Sequence, residues 1–493
     1  MGTSRSFVLP AALVLAVVTG PVLSGCGDDG EADPPPIVHP GEHVIPEWFT
    51  DAKFGVFIHW GVYSVPAWAP IVPGIYAEWY WFFQQLPIFQ QYQYHLRTYG
   101  ADFVYDDFIP QFRAENWDPA DWIRLIEDSG AKYWVLTTKH HDGFALWPTQ
   151  TSDRNSVKLG PGRDLVGDLI EANRGSDLRV GLYYSLPEWF NPAPKPADIY
   201  DDQTRLLFGS FPHPQNPYLE GKPEIPYTGQ GPVDDYATGI VIPQIEELIE
   251  RYRPSILWCD IGGNPDYFQT ERWLTKFYSE GARHHPEGVT ANNRCGAFGD
   301  FATPEYAPIP APGGRYFEAT RGIGNSFGYN RNEQLEDYLS DAEVIHTLID
   351  TVAGGGNLLL DIGPEADGTI PQVMRDRLLA IGRWLEINGE AIYGSRRWSH
   401  PGAGTIRYTV GKNGSLYVIA REWPGEELVV EAPIVLTPDA EIKLLGADGT
   451  PLAWEQNGAR LVVPLPWGAA AAAATRSEHA FVFRISGVAD VDD

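Results

Sequence analysis

The chain has 493 residues and a formal net charge of −29, from 36 Lys and Arg against 65 Asp and Glu. That balance argues against nucleic acid and against anionic polymers held by bulk attraction. The length allows about two or three domains, and 43% apolar residues supply large cores. Aromatic residues reach 13%, with 17 Trp; faces that stack on sugar rings and large cores both account for that excess.

Residues 1–26 read as a targeting segment. Arg5 supplies a positive start, and an apolar run from Phe7 to Leu23 is broken by Pro10 and Pro21. The run is too short and too interrupted for a spanning helix. Its ending, Leu23-Ser-Gly-Cys26, resembles the lipobox of bacterial lipoproteins. That resemblance implies an exported chain, lipidated at Cys26 and held to a bacterial membrane, periplasmic or at the cell surface, by the anchor only. Residues 27–43 are acidic and Pro-rich, as an extended tether would be.

From residue 44 to 390, strand-like and helix-like segments alternate. Phe54-Gly-Val-Phe-Ile-His-Trp-Gly61 reads as a strand ending in His59, and Pro119 to Gly130 as a helix stopped by Gly130. Tyr133 to Asp142 is a strand with a polar end, Leu165 to Asn173 a helix, and Arg179 to Ser185 a strand. The amphipathic helix Ile240 to Tyr252 feeds the run Ser255-Ile-Leu-Trp-Cys-Asp-Ile-Gly-Gly263. Val289 to Arg294, Arg315 to Thr320 and Asn357 to Gly363 are further strands. Repeated β-then-α units imply a parallel sheet or barrel. The collection of His, Asp, Tyr, Asn, Arg and Glu at strand ends favours the mouth of a (β/α)8-like barrel.

After the helix Met374–Asn388 the pattern changes. Residues 391–493 carry short alternating runs at Ser415–Ile419, Leu428–Val430, Ile442–Leu445, Leu461–Val463 and Phe481–Phe483. Lys412-Asn-Gly, Ala447-Asp-Gly and Gln456-Asn-Gly separate them, which predicts an antiparallel β-sandwich of hairpins. Ala469–Ala474 reads as a loop.

Asp260 stands where a buried strand gives way to two glycines. Trp258, two residues earlier, shares its face, while Cys259 turns to the other. A strand-end carboxylate is a common catalytic position in a barrel, and a loop-capping Asp is the plain alternative. His59, the pair His140 and His141, Arg294, and Glu78 within Tyr76-Ala-Glu-Trp-Tyr-Trp-Phe-Phe83 complete the polar set. The histidines lack metal-ligand spacing and suit hydrogen bonding to hydroxyls. The chain has 3 Cys. With Cys26 lipidated, Cys259 and Cys295 are expected to be free structural thiols.

Phe54-Gly-Val-Phe-Ile-His-Trp-Gly, Lys139-His-His-Asp-Gly-Phe, Gly181-Leu-Tyr-Tyr-Ser-Leu-Pro-Glu-Trp-Phe and Leu257-Trp-Cys-Asp together resemble the α-L-fucosidases of glycoside hydrolase family 29. So do Arg321-Gly-Ile-Gly-Asn-Ser-Phe-Gly-Tyr-Asn-Arg-Asn and Leu358-Leu-Leu-Asp-Ile-Gly-Pro-Glu-Ala-Asp-Gly-Thr-Ile-Pro. The resemblance covers roughly residues 44–398. It implies a (β/α)8-like barrel followed by a β-sandwich, and retaining hydrolysis of terminal α-L-fucose from glycans with no metal or other cofactor. It makes Asp260 the nucleophile and places the acid/base at Glu305, in Asp300-Phe-Ala-Thr-Pro-Glu-Tyr306, a segment that reads as a loop over the mouth. Glu318, on a strand, is the rival. His59, Glu78, His140, His141, Tyr183, Trp258 and Arg294 would bind the sugar, and Phe57 and Phe327 are candidates to face its methyl group. A barrel glycosidase for α-L-galactose and a non-catalytic glycan-binding lipoprotein are the alternatives.

The chain departs from that pattern twice. Asp361 stands where the family usually has Asn, and Cys295 follows Arg294 where relatives can carry an aromatic residue.

Overall fold

Strand β1 (Phe54–Ile58) lies between β2 (Tyr133–Lys139) and β7 (Asn357–Ile362), all three parallel. β3 (Arg179–Ser185), β4 (Ile256–Asp260) and the two-residue β5 (Thr290–Ala291) continue past β2, and β6 (Glu318–Gly322) flanks β7. The order is β5-β4-β3-β2-β1-β7-β6. The computed structural model describes residues 37–489 except 190, 192, 197–232, 297–298, 311–313, 401 and 468–473. Cys26, most of the segment expected to be a tether, and residues 469–473 of the Ala-rich stretch lie outside the described residues.

Alternate residues of a strand face opposite ways, and here the two faces enter two different cores. Phe57, Tyr133, Val135, Tyr183, Ile256, Trp258 and Leu359 fill the interior of the curved sheet, joined by Phe49 of the helix Glu47–Ala52. Phe54, Val56, Trp134, Leu136, Leu182, Leu257 and Leu360 pack outward, in one core with apolar residues of the surrounding helices. Burial on both faces explains why these strands read as unbroken apolar runs.

The segment expected to be a loop over the mouth is instead an irregular eighth strand. Asn292 bridges to Phe301, Ala302 to Phe317 and Glu305 to Thr320, all parallel, so residues 301–305 close the gap between β5 and β6. Pro304 has no N–H to give to a ladder, but its carbonyl accepts from Thr320 N at 2.9 Å. The predicted strand Val289–Arg294 is correspondingly short: the chain leaves the sheet after Ala291, and Arg294 lies in the 3-10 turn Asn293–Cys295.

The C-terminal residues form two antiparallel sheets. β8 (Arg396–Arg397), β9 (Ile406–Val410), β10 (Leu416–Ala420), β12 (Leu436–Leu444) and β15 (Phe481–Val488) make one sheet, in the order β12-β15-β10-β9-β8. β11 (Glu427–Glu431), β13 (Glu455–Asn457) and β14 (Arg460–Pro464) make the other. Leu416, Val418 and Phe483 meet Leu428, Val430 and Leu461 between the sheets. Tyr417, Ile419 and Val482, on the opposite face, join the barrel's outer core. Trp384 Nε1 donates to Ala480 O at 3.0 Å, and Asn388 Nδ2 to Ser477 Oγ at 2.8 Å, so the helix Gln372–Asn388 seats the sandwich.

Among the described residues no helix is long and apolar enough to cross a membrane. Most of the Trp excess is core: Trp60, Trp81, Trp122, Trp134, Trp147, Trp189 and Trp273 are fully buried.

Candidate active site

The strands' C-terminal ends surround a pocket. Phe57 and His59 come from β1 and its exit, His140 from the exit of β2, Tyr183 from β3, and Trp258 and Asp260 from β4. Arg294, Glu305, Thr320 and Phe327 close the opposite wall, and Tyr76, Glu78 and Trp79 come from the aromatic stretch that leads into the helix Tyr80–Gln84.

Asp260 is the most heavily partnered group. Its Oδ1 accepts from Arg294 Nη1 at 2.7 Å and from Ile261 N at 3.0 Å. Its Oδ2 accepts from Tyr183 OH at 2.8 Å and lies 3.4 Å from His141 Nε2. Burial works against the charge, but Arg294 and His141 outweigh it and hold the carboxyl well below the usual carboxylate range. Ile261 takes a φ of +47°, a region that β-branched residues rarely enter. Its N–H is thereby aimed back at the carboxylate, so local strain helps fix the side chain.

Arg294 spans two carboxylates. While Nη1 binds Asp260, Nη2 reaches Glu305 Oε2 at 3.1 Å, and Nε donates to Thr303 Oγ1 at 2.8 Å. Its guanidinium also lies over the Trp258 ring, 5.2 Å from the centroid. Glu305 accepts from Tyr76 OH at 3.2 Å and stays partly exposed, with 29% of its side chain open. Glu318 is placed differently. It is fully buried beneath Trp258, accepts from Trp258 Nε1 at 2.9 Å and Tyr133 OH at 2.6 Å, and does not line the pocket.

The remaining polar residues are buried and held uncharged. Burial lowers His59 to about 3 and puts His140 well below the ordinary range. Burial lifts Glu78 to about 8, against the bond that Gly328 N donates to its Oε2 at 2.9 Å. His140 Nδ1 has no hydrogen-bond partner among the described residues. Such groups offer donors and acceptors to neutral hydroxyls. Phe57 and Phe327 supply an apolar patch, with ring centroids 6.5 Å apart.

The predicted set assembles with one difference in placement. His141 does not line the pocket; its Nδ1 donates to Pro187 O at 2.9 Å, and the ring stands behind Asp260. Tyr76, Trp79, Ile261 and Thr320 line the pocket and were not singled out from the sequence. Tyr76 and Trp79 flank Glu78, and Ile261 follows Asp260, so adjacency to predicted residues was the available signal. Thr320 gives none by itself.

The expectation of free thiols is overturned: Cys259 and Cys295 form a disulfide, with Cα atoms 4.7 Å apart. The pairing was hidden because the two residues meet only when the turn carrying Arg294 folds against the end of β4. Among the described residues no cluster of three or more His, Cys, Asp or Glu is set to hold a metal ion.

The family model for α-L-fucosidase matches residues 37–390, and that for the α-L-fucosidase C-terminal domain matches residues 402–486. Human tissue α-L-fucosidase is 36% identical, over 90% of this chain and 90% of its own length. The α-L-fucosidase of Dictyostelium discoideum is 35% identical, over 90% and 93%. The structure of Thermotoga maritima α-fucosidase in complex with fucose superposes with a TM-score of 0.75, at 38% identity, covering 90% of this chain and 97% of that one. With both models matched in order along a barrel and a sandwich, the chain belongs to the α-L-fucosidase family.

Proposed function

We propose that the protein is a retaining exo-α-L-fucosidase that removes terminal α-L-fucose from glycans through a covalent fucosyl-enzyme. The observation that carries this reading is the single guanidinium of Arg294 on both Asp260 and Glu305. A retaining glycosidase needs two carboxyl groups flanking the bond, roughly 5–5.5 Å apart. One must be an anion and attack; the other must deliver and then recover a proton.

Asp260 is the nucleophile. Arg294 keeps it ionised, and Tyr183 and Ile261 N fix its direction. Glu305 is the acid/base. Its partial exposure at the mouth suits contact with the leaving group and then with water, whereas Glu318 has both oxygens engaged inside the barrel. Neutral His59 and His140, and a protonated Glu78, bind the sugar hydroxyls. Phe57 and Phe327 face the C6 methyl group, and a hydroxyl added there, as in α-L-galactose, would be left against two rings. Retention of both carboxylates also disfavours a purely binding role.

We further propose that the chain is exported and lipidated at Cys26. The Leu23-Ser-Gly-Cys26 ending supports this. A buried disulfide fits an oxidising compartment outside the cytoplasm.

The test is release of fucose from nitrophenyl α-L-fucoside by wild type and by Asp260→Gly. The variant should lose nearly all turnover, because no covalent intermediate forms. Azide should then enter the vacated space and give β-L-fucosyl azide. Normal turnover in Asp260→Gly would overturn the assignment.

A further inference from the structure

Arg294 is carried by a segment that has already left the sheet. β5 pairs with β4 only at Ile256 with Thr290 and Leu257 with Ala291. No ladder pair joins the end of β4, where Cys259 and Asp260 stand, to the turn that holds Arg294. Two other devices take the ladder's place. The Asn292 side chain accepts from Cys259 N at 3.0 Å and donates to Cys259 O at 2.8 Å. The second device is covalent: the disulfide joins the residue before Asp260 to the residue after Arg294.

The two cysteines are fully buried in the outer core and line no part of the pocket. Asp260 and Arg294 meet on the pocket side, at 2.7 Å. The same two backbone segments are therefore tied by an ion pair on one face and a covalent bond on the other. The ion pair is partly open to solvent, with 24% of the Arg294 side chain exposed, so it constrains the segment less than a bond does. Any slip of the turn would move Arg294 away from both carboxylates at once. A misplacement on the order of 1 Å costs up to about a hundredfold in rate.

We propose that the Cys259–Cys295 disulfide is a positioning element for the reaction, holding the Arg294 turn so that its guanidinium meets Asp260 in the attacking geometry. This rests on Asp260 being the nucleophile. The titratable groups that touch Asp260 are Arg294, Tyr183 and His141, beside the Ile261 N–H, with Glu305 joined through Arg294 and with His59 and His140 near enough to interact with its charge. Loosening Arg294 removes the cation that keeps Asp260 ionised, so the nucleophile should begin to protonate at higher pH.

The test compares three preparations on nitrophenyl fucoside, each with its free thiols counted. They are the oxidised wild type, the same chain made and kept in reducing conditions, and Cys259→Ala/Cys295→Ala. The two disulfide-free forms should lose roughly tenfold in kcat, with a smaller change in KM. The acid limb of kcat/KM should move to higher pH. Oxidation of the reduced wild type, in which two thiols give up two protons and two electrons to added oxidised glutathione, should restore both values. In an Arg294→Lys background, loss of the disulfide should cost much less, because the two changes act through one contact.

Unchanged kcat and acid limb with only a lower melting temperature would overturn the proposal, as would full additivity with Arg294→Lys. If the double variant does not fold, the reduced and reoxidised wild type decide by the same readouts. An oxidised wild type that released no fucose would instead refute the proposed function.

Discussion

His59 Nδ1 and Asp361 Oδ1 stand 2.6 Å apart, and both side chains are almost wholly shut off from solvent. Asp361 lies on β7, in register with Phe57 of β1, so the pair joins the ends of two neighbouring strands, with His59 lining the pocket. Burial lowers His59 to about 3 and, with Glu78 adding to it, raises Asp361 well above its ordinary value. Charge is disfavoured on both groups, so the pair is held uncharged, with Asp361 as the hydrogen-bonding partner of the ring. It fixes the imidazole, and in the proposed function this leaves Nε2 for a sugar hydroxyl.

Asp361→Asn should therefore keep activity. An isosteric change that preserves the bond costs under about 1 kcal/mol, roughly fivefold in kcat/KM. Asp361→Ala strands a buried ring nitrogen and should cost about 1–3 kcal/mol, roughly 5- to 150-fold in kcat/KM. Steady-state kinetics of both variants check this. An Asp361→Asn variant as inactive as Asp260→Gly would mean that Asp361 acts as a charged catalytic group.

Removal of the acid/base should depend on the leaving group. Glu305→Ala should lose far more activity on fucosylated oligosaccharides than on nitrophenyl fucoside, since an activated aryl group departs without a proton. Azide should intercept its intermediate and give α-L-fucosyl azide, the opposite anomer from the Asp260 variant. Product analysis by NMR separates the two. The same pattern from Glu318→Ala would move the acid/base to β6.

Glu318 should mark the pH dependence of stability. Burial lifts it to about 7 from the ordinary glutamate value of 4.5, while Tyr133 and Trp258 pull the other way. Between those values the folded chain keeps a proton that the unfolded chain has released, so this contribution falls as pH rises through that window and levels off above it. Wild type should lose up to about 3 kcal/mol more than Glu318→Gln between pH 5 and 8. Glutamine can keep both contacts, accepting from Trp258 and donating to Tyr133. Parallel denaturant titrations of the two proteins, with equal pH slopes, would refute this.

Cys26→Ala should abolish membrane association while leaving turnover unchanged. Fractionation of cells that produce each form gives the readout, and equal membrane association of the two would refute lipidation at Cys26. Activity should survive because Cys26 lies outside the segments that carry the proposed catalytic residues Asp260 and Glu305.

The sequence by itself determined most of the strands, the order of barrel and sandwich, and most of the residues at strand ends. Alternation along Phe54–Ile58 and Ile256–Asp260 is a local property, so it already places Trp258 and Asp260 on one face and Cys259 on the other. Resemblance carried His59, His140, His141, Tyr183, Trp258 and Asp260 inside local motifs, whereas Glu78 and Arg294 lie outside those motifs. Only the tertiary structure decided what depends on two distant segments meeting. Glu305 belongs to an irregular strand because β5 and β6 leave a gap that residues 301–305 fill. His141 backs Asp260 instead of lining the pocket because its position follows from how the exit of β2 packs against Pro187. The disulfide forms because the turn after β5 folds onto the end of β4 across a separation of 36 residues. Local spacing encodes which way a side chain points along its own strand; it does not encode which side chain of another segment will stand opposite.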